Sequence, residues 1–218
     1  MKAWYRAASA CLALDKVDEA IDAAQNGLHV QAQNSALKVV LDSATKRKAH
    51  LAEVERARKE REEQLRLQQA TIRMALKHRN IPTRTSDRPP EVPEAAIALE
   101  DALDPSSALS FPVMLLYPAH AQTDFIKAFH ETESIAQHLA YILPLPWDEQ
   151  REYALENVEC YMETIEGGLI KAGKKLSLLE LLRSGKLEVA DGLVRINVVP
   201  KDRAAQWISE FMLRRGKQ

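Results

Sequence analysis

The sequence is poor in cysteine and glycine, and it lacks long apolar runs. It contains only two cysteines, Cys11 and Cys160, in 218 residues, with no Cys-x-x-Cys motif and no cluster of cysteine with histidine. A disulfide scaffold and a zinc site are therefore not expected. No apolar run approaches the ~20 residues that a membrane-spanning helix needs, and the first residues lack a signal-peptide pattern. We predict a cytoplasmic protein, with the nucleus as an additional compartment, and no membrane partner.

The motifs of common enzyme classes are missing as well. The sequence has neither a glycine-rich phosphate loop nor a nucleophile elbow. His120, His130 and His138 are spaced ten and eight residues apart, whereas a helical zinc site places two histidines four residues apart. We therefore predict no catalytic residue, no cofactor and no metal. A redox or hydrolytic enzyme that uses Cys160 and the three histidines is a remote alternative.

Charge is balanced overall but uneven along the chain. Lys and Arg total 30 against 31 Asp and Glu, so the whole chain does not have the composition of a basic nucleic-acid-binding protein. Residues 34–79 lack Gly and Pro and carry about twelve basic against six acidic residues, which predicts a long charged helix that caps the preceding segment and acts as a spacer. A ribosome or RNA adaptor acting through this helix is the runner-up function. Nucleic acid is not the expected partner, because the helix has no aromatic side chains to stack on bases.

Small and apolar residues within residues 1–33 follow the period of two helices, which predicts a helical hairpin with its turn near residues 14–17. The hairpin resembles a tetratricopeptide repeat through Trp4, Ala20 and the run from Asp18 to Ile21. The departures from that repeat are Ala8, Ala24, Gly27 and Ala32. Because one repeat cannot bury its own apolar face, we expect residues 1–33 to be the last repeat of an array and the chain to be part of a longer protein.

Residues 80–110 contain five prolines among acidic residues and serines. These prolines are Pro82, Pro89, Pro90, Pro93 and Pro105. The composition predicts a linker that is partly in polyproline conformation, with a short helix over residues 96–103.

The pattern changes after Ser110 and predicts a second domain over residues 111–218. FPVMLLYP (111–118) predicts a strand buried on both faces, and the apolar stripe that follows Thr123 predicts a helix as far as Ile142. Residues 158–163 alternate as a strand, Ser177 and Glu180 form a capping box, and Asp191-Gly192 predicts a hairpin. The expected fold is α+β overall, with an all-α N-terminal part joined to a domain of a mixed sheet and flanking helices.

Two stretches of the second domain carry a family resemblance. YPAHAQTDFIKAFHE (117–131) and PLPWDE (144–149) resemble the C-terminal wheel domain of the tetratricopeptide repeat protein 4 family, the cyclophilin-seven-suppressor-like co-chaperones. The resemblance implies a non-enzymatic co-chaperone. Its implied partners are heat-shock protein 90 and heat-shock protein 70, and its implied client is translation elongation factor 2.

Lys2 and Arg6 are the candidate residues for binding a chaperone tail. They lie four residues apart on the first predicted helix, where Lys and Arg can hold a carboxylate together. The resemblance implies that they bind the acidic C-terminal Glu-Glu-Val-Asp sequence of the chaperones. In similar arrays two preceding repeats supply further contacts, so we expect very weak or no peptide binding by this chain.

Aromatic and polar residues of the second domain are the candidates for client binding, because protein interfaces combine aromatic anchors with polar rims. The candidates are Tyr117, Gln122, Thr123, Asp124, His130, Trp147 and Asp148. A place in the core is the alternative for Trp147, and it is the favoured one for Phe125 and Phe129.

Overall fold

The computed structural model describes residues 2–87 and 96–215, which fall into two compact units, Met1–Arg66 and Leu67–Gln218. The division between Arg66 and Leu67 falls within a long helix. Pro89, Pro90 and Pro93, for which the sequence predicts polyproline conformation, lie outside the described residues.

The first unit is built from helices. α1 (Lys2–Ala13) and α2 (Val17–Val30) form the predicted hairpin, and α3 (Ser35–His78) begins after a short turn. Small residues allow the helices to approach closely: Ala8, Ala20 and Ala24 are fully buried. A Cβ atom on Gly27 would lie 2.7 Å from Leu37 Cδ1 and 2.9 Å from Trp4 Cβ, so a larger residue there would require the neighbouring side chains or helices to shift.

The second unit contains a mixed sheet and short helices. The strands are β1 (Thr83–Arg84), β2 (Ala98–Leu99), β3 (Leu109–Tyr117), β4 (Gln122–His130), β5 (Val158–Glu163), β6 (Leu169–Ala172), β7 (Val189–Ala190) and β8 (Val194–Pro200). The helices are α4 (Ile135–Ile142), α5 (Leu178–Leu182) and α6 (Lys201–Arg215). Six strands form one sheet in the order β2-β3-β8-β5-β6, with β4 paired to β3, and β1 pairs with β7 separately. β3 and β8 are parallel and the other pairs of the large sheet are antiparallel, so the predicted α+β fold with a mixed sheet is confirmed.

β3 is central to the sheet, but only one of its faces is fully buried. Leu109, Phe111 and Val113 are completely buried on the core face, where Val113 pairs with Val194 of β8. Met114 and Leu116 point to the other face and are only partly covered. The prediction of a strand buried on both faces is therefore wrong for this second face.

β4 occupies residues for which the sequence predicts a helix. Phe129 pairs with Phe111 and Ile126 pairs with Val113, so a bulge inserts one extra residue into β4 between these pairs. The bulge places two residues three positions apart on the same face of the sheet. That spacing imitates the period of a helix, which is why the apolar pattern was misleading. The predicted helix begins only at Ile135, after a capping box formed by Ser134 and Gln137.

The described parts of residues 80–110 belong to the second unit, so the prediction of a linker is wrong for them. Ile81 and Leu99 are in its hydrophobic core, and β1 and β2 pair with β7 and β3. No helix forms over residues 96–103, because Ala98 and Leu99 pair with Ser110 and Leu109 instead.

The turn and capping predictions have a mixed outcome. The capping box of Ser177 and Glu180 opens α5, as expected. Asp191 and Gly192 both have positive φ, 58° and 71°, in a tight turn. β7 and β8 nevertheless form no ladder beyond the single bridge from Ala190 to Leu193, since β7 pairs with β1 and β8 pairs with β3 and β5.

Candidate functional site

The first turns of α1 present two cations to solvent. Lys2 and Arg6 are exposed, and neither forms a hydrogen bond or ion pair with any residue in the described ranges. Their four-residue spacing places them on one helix face, next to the partly exposed Trp4 and Tyr5. The surface is therefore free to receive an anionic group.

An aromatic cluster lies where the β3–β4 hairpin meets the loop after α4. Its members are Tyr117, His120, Trp147 and Tyr153. Five of their ring pairs have centroids 5.2–5.5 Å apart, most of them in edge-to-face geometry, which is the arrangement that aromatic rings prefer.

Hydrogen bonds fix this aromatic cluster in place. Tyr117 donates its hydroxyl to Asp124 Oδ2 at 2.8 Å, and burial, together with that carboxylate, raises the pKa of Tyr117 far above its usual value. His120 Nδ1 lies 3.1 Å from the hydroxyl of Tyr153, whose pKa is raised to about 12 by burial and by the charge of Glu152. Both tyrosines therefore stay protonated at neutral pH.

Asp148 holds the loop that carries Trp147. Its buried carboxylate accepts hydrogen bonds from the backbone N–H groups of Glu152 and Tyr153, at 3.0 and 2.8 Å. Tyr117 is likewise only 1% exposed. Neither side chain is exposed enough to contact a client. We therefore assign Tyr117 and Asp148 a structural role in place of the predicted client contact.

The remaining client candidates separate into three places. Gln122 and Thr123 are exposed at the start of β4, while Asp124 and Trp147 are half-buried against the aromatic cluster. His130 lies at the other end of β4, about 23 Å from Thr123 at ~3.3 Å per residue. Its Nδ1 is 2.7 Å from the Thr132 hydroxyl. The structure therefore does not unite the predicted residues in one site.

A partly open face of the sheet is the stronger candidate for an interaction surface. We call it the open sheet face, and it consists of Met114, Leu116, Thr123, Phe125, Arg195 and Asn197. Paired residues share a face: Met114 pairs with Phe125 and Arg195, and Leu116 pairs with Thr123 and Asn197. All six side chains are partly or largely exposed, and Phe125 is 44% exposed instead of lying in the core as predicted.

α6 covers the neighbouring part of the same sheet face. Ala204, Trp207 and Ile208 of α6 pack against Tyr161 and Val199. Tyr161 pairs with Asn197, so the covered area adjoins the open sheet face. Thr123 is the only residue of the open sheet face that is also a client-binding candidate from the sequence. Sequence alternation along β3 could not reveal the rest, because both faces of that strand are apolar.

The basic residues in the middle of α3 are largely paired with acids on the same helix. The ion pairs are Lys46 with Asp42, Arg56 with Glu60, Arg58 with Glu55 and Glu62, Lys59 with Glu55, and Arg66 with Glu63. This pairing lowers the positive charge available to phosphates.

The described residues contain neither a candidate metal site nor a candidate membrane span. Across residues 2–87 and 96–215, no three His, Cys, Asp or Glu side chains are grouped to hold a metal ion. In the same ranges no helix combines the length and the apolar character required to cross a bilayer.

Comparisons with known proteins identify similar chains. The sequence profile of the Cns1/TTC4 Wheel domain matches residues 101–211. The Hsp70/Hsp90 co-chaperone cns1 of Schizosaccharomyces pombe is 32% identical over 212 residues, covering 96% of this chain and 59% of that protein. Tetratricopeptide repeat protein 4 of Mus musculus is 30% identical over 202 residues, covering 84% of this chain and 52% of that protein.

A solved structure shows the same fold. The Hsp90 co-chaperone Cns1 from Saccharomyces cerevisiae superposes with a TM-score of 0.80 at 27% identity, covering 95% of this chain and 70% of that chain. The present chain spans between half and three fifths of the length of the two curated relatives described above.

Proposed function

Because this chain belongs to the Cns1/TTC4 Wheel-domain family, in which the relative from Schizosaccharomyces pombe is named an Hsp70/Hsp90 co-chaperone, we propose that it brings a chaperone and a client protein together. In this proposal α1 docks the C-terminal tail of heat-shock protein 90 or heat-shock protein 70. The second unit binds the client, translation elongation factor 2. The protein performs no covalent chemistry and acts in the cytoplasm.

The tail-docking part is supported by the exposed pair Lys2 and Arg6. A terminal carboxylate can accept two parallel hydrogen bonds from a guanidinium and one from an ammonium, and neither cation has a competing partner in the described part of the chain. The described residues contain one helical hairpin of this kind. Two charge-assisted contacts alone support only a dissociation constant on the order of hundreds of micromolar or weaker.

The client-docking part rests on one observation, the open sheet face. Met114, Leu116 and Phe125 form a half-exposed apolar patch, and Arg195 and Asn197 give it a polar margin. Apolar centres with polar rims and an arginine are typical of protein interfaces. A folded client with a complementary apolar surface could therefore bury this patch.

Tail docking can be tested by titrating the isotopically labelled chain with a peptide that ends in Glu-Glu-Val-Asp and following amide shifts by NMR. We expect small, non-saturating shifts confined to α1, which disappear in Arg6→Ala and in Lys2→Ala. The exposed Lys16→Ala is the matched control and should behave like the unmodified chain. Low-micromolar binding that survives both substitutions would refute this docking mode.

A further inference from the structure

Within the described residues β6 pairs with β5 alone, so its other edge has no strand partner there. The turn before it closes with a hydrogen bond from the Thr164 N–H to the Gly168 carbonyl at 2.9 Å. Since hydrogen-bonded pairs alternate along an antiparallel ladder, the next such pair is Met162 with Ile170. The backbone groups of Leu169 and Lys171 therefore point away from β5, and no described residue hydrogen-bonds to them.

A mainly apolar cavity of about 290 Å³ lies beside this edge, between β6 and α5. Its apolar lining is formed by Met162, Ile170, Ala172, Leu176, Leu181 and Leu187. Leu176 is 44% exposed although it is a large apolar side chain. The volume is at the lower limit for small-molecule sites and suits an inserted side chain better than a cofactor.

The segment that borders the cavity contains more basic than acidic residues. Residues 169–187 contain five basic residues and one acid, in a chain whose net charge is -1. The basic residues are Lys171, Lys174, Lys175, Arg183 and Lys186. Lys171 Nζ is paired with Glu159 Oε1 at 2.6 Å and Lys174 donates to the carbonyls of Leu155 and Val158, whereas Lys175, Arg183 and Lys186 have no ion-pair partner among the described residues. The acid, Glu180, is held in the α5 capping box, where the backbone N–H of Ser177 lowers the pKa of its carboxyl group. This charge excess favours an acidic partner.

We propose that β6 and the adjacent cavity bind an extended acidic segment of another protein. The segment adds to the sheet as a strand along β6, and its backbone pairs with Leu169 and Lys171. Side chains alternate along a strand, so one set reaches the cavity while the other set lies on the face of Lys171, where an acidic side chain competes with Glu159 for the ammonium group. The expected ligand therefore alternates aliphatic and acidic residues.

This site is separate from the surfaces assigned to the chaperone tail and to the client. Ile170 and Ala172 face α5, whereas the open sheet face is formed by β3, β4 and β8. A second copy of this chain is a poor occupant, because pairing two β6 edges would bring two strongly basic segments together.

The test uses the full chain and a fluorescent peptide with blocked ends, Glu-Leu-Glu-Leu-Glu-Leu, followed by anisotropy. We expect saturable binding, which weakens at least about tenfold when Lys replaces every Glu. Leu176→Gln should weaken it about fivefold by removing an apolar contact. The matched control is Leu213→Gln on α6, which is 66% exposed and should have no effect. Equal affinity for the acidic and basic peptides would overturn the proposal.

Strand addition is tested with two N-methylated peptides, one methylated on every Glu nitrogen and the other on every Leu nitrogen. Only alternate N–H groups of an added strand face β6, so exactly one of the two peptides should lose binding. If both bind or neither binds, the segment does not add as a strand. A dimer of the chain that Leu176→Gln abolishes in sedimentation experiments would instead assign the edge to a second copy and refute the peptide site.

Discussion

Arg79 forms a buried ion pair and further hydrogen bonds in the second unit. Its guanidinium forms a two-point ion pair with Glu131, at 2.7 and 3.0 Å, and donates to the carbonyls of Pro105 and Ser107. The side chains are only 14% and 6% exposed. The contacts connect the end of α3, the segment before β3 and the end of β4, which lie far apart in the sequence.

Removing one member of this buried ion pair should be costly, because the other charge is then left without a partner. We expect Arg79→Met to lower the free energy of unfolding by about 3–5 kcal/mol in urea denaturation of the full chain. The control is Arg66→Met, which removes an exposed ion pair with Glu63 and should cost less than about 1 kcal/mol. A double variant Arg79→Met/Glu131→Met that is no more stable than Arg79→Met alone would show that the unpaired charge is not the cause.

The two cysteines should differ in reactivity. Burial raises the pKa of the Cys160 thiol to about 12, whereas Cys11 is partly exposed. We expect iodoacetamide at pH 8 to modify Cys11 in the folded chain and to leave Cys160 unmodified until denaturant is added, as read by peptide mass spectrometry. Rapid labelling of Cys160 in the native chain would contradict the packing of β5.

The same thiol gives the stability of the protein a pH dependence. The folded state holds the Cys160 proton more tightly than the unfolded chain, whose thiol has its ordinary pKa of 9.0. The raised pKa of Tyr161, about 12, acts in the same direction. This contribution is complete below pH 9 and is lost as the pH rises towards 12, so unfolding midpoints in urea should fall across that interval.

At the level of elements, helix caps and the long helix could be predicted from the sequence, whereas some elements that depend on strand pairing could not. The capping box of Ser177, the strand at residues 158–163 and the long helix follow from neighbouring residues alone. β4 was mistaken for a helix because its bulge depends on pairing with β3. The described part of the proline-rich segment was mistaken for a linker because Ile81 and Leu99 acquire their core positions only through distant partners.

The Ser177 cap lends itself to a direct test at this scale. Its hydroxyl accepts the Glu180 N–H at 3.2 Å, and its own N–H donates to the Glu180 carboxylate at 2.8 Å. Ser177→Ala should lower the free energy of unfolding by about 1 kcal/mol, whereas Ser177→Asp should be nearly neutral because aspartate also caps helices. Equal losses in urea denaturation for the two variants would show that the cap does not stabilise α5.

At the level of the whole molecule, the two proposed binding surfaces lie on two different compact units. The exposure of Lys2 and Arg6 could be predicted from spacing and charge, since exposed side chains need no tertiary partner, and their binding of a chaperone tail stays a prediction. The open sheet face could not be predicted, because its members come from β3, β4 and β8 and meet only through strand register. Tyr117 and Asp148 were predicted to contact a client although both are buried. The sequence does not show the hydrogen-bond partners that bury them.

The most direct test of the proposed function is the affinity of the full chain for purified translation elongation factor 2, measured by biolayer interferometry. We predict that Phe125→Glu on the open sheet face weakens binding at least about tenfold, because it places a charge in an apolar interface. Leu103→Glu alters a side chain that is 63% exposed on a loop and should leave binding unchanged. Unaltered binding by Phe125→Glu, or no binding by the unmodified chain, would contradict the proposal that this surface receives the client.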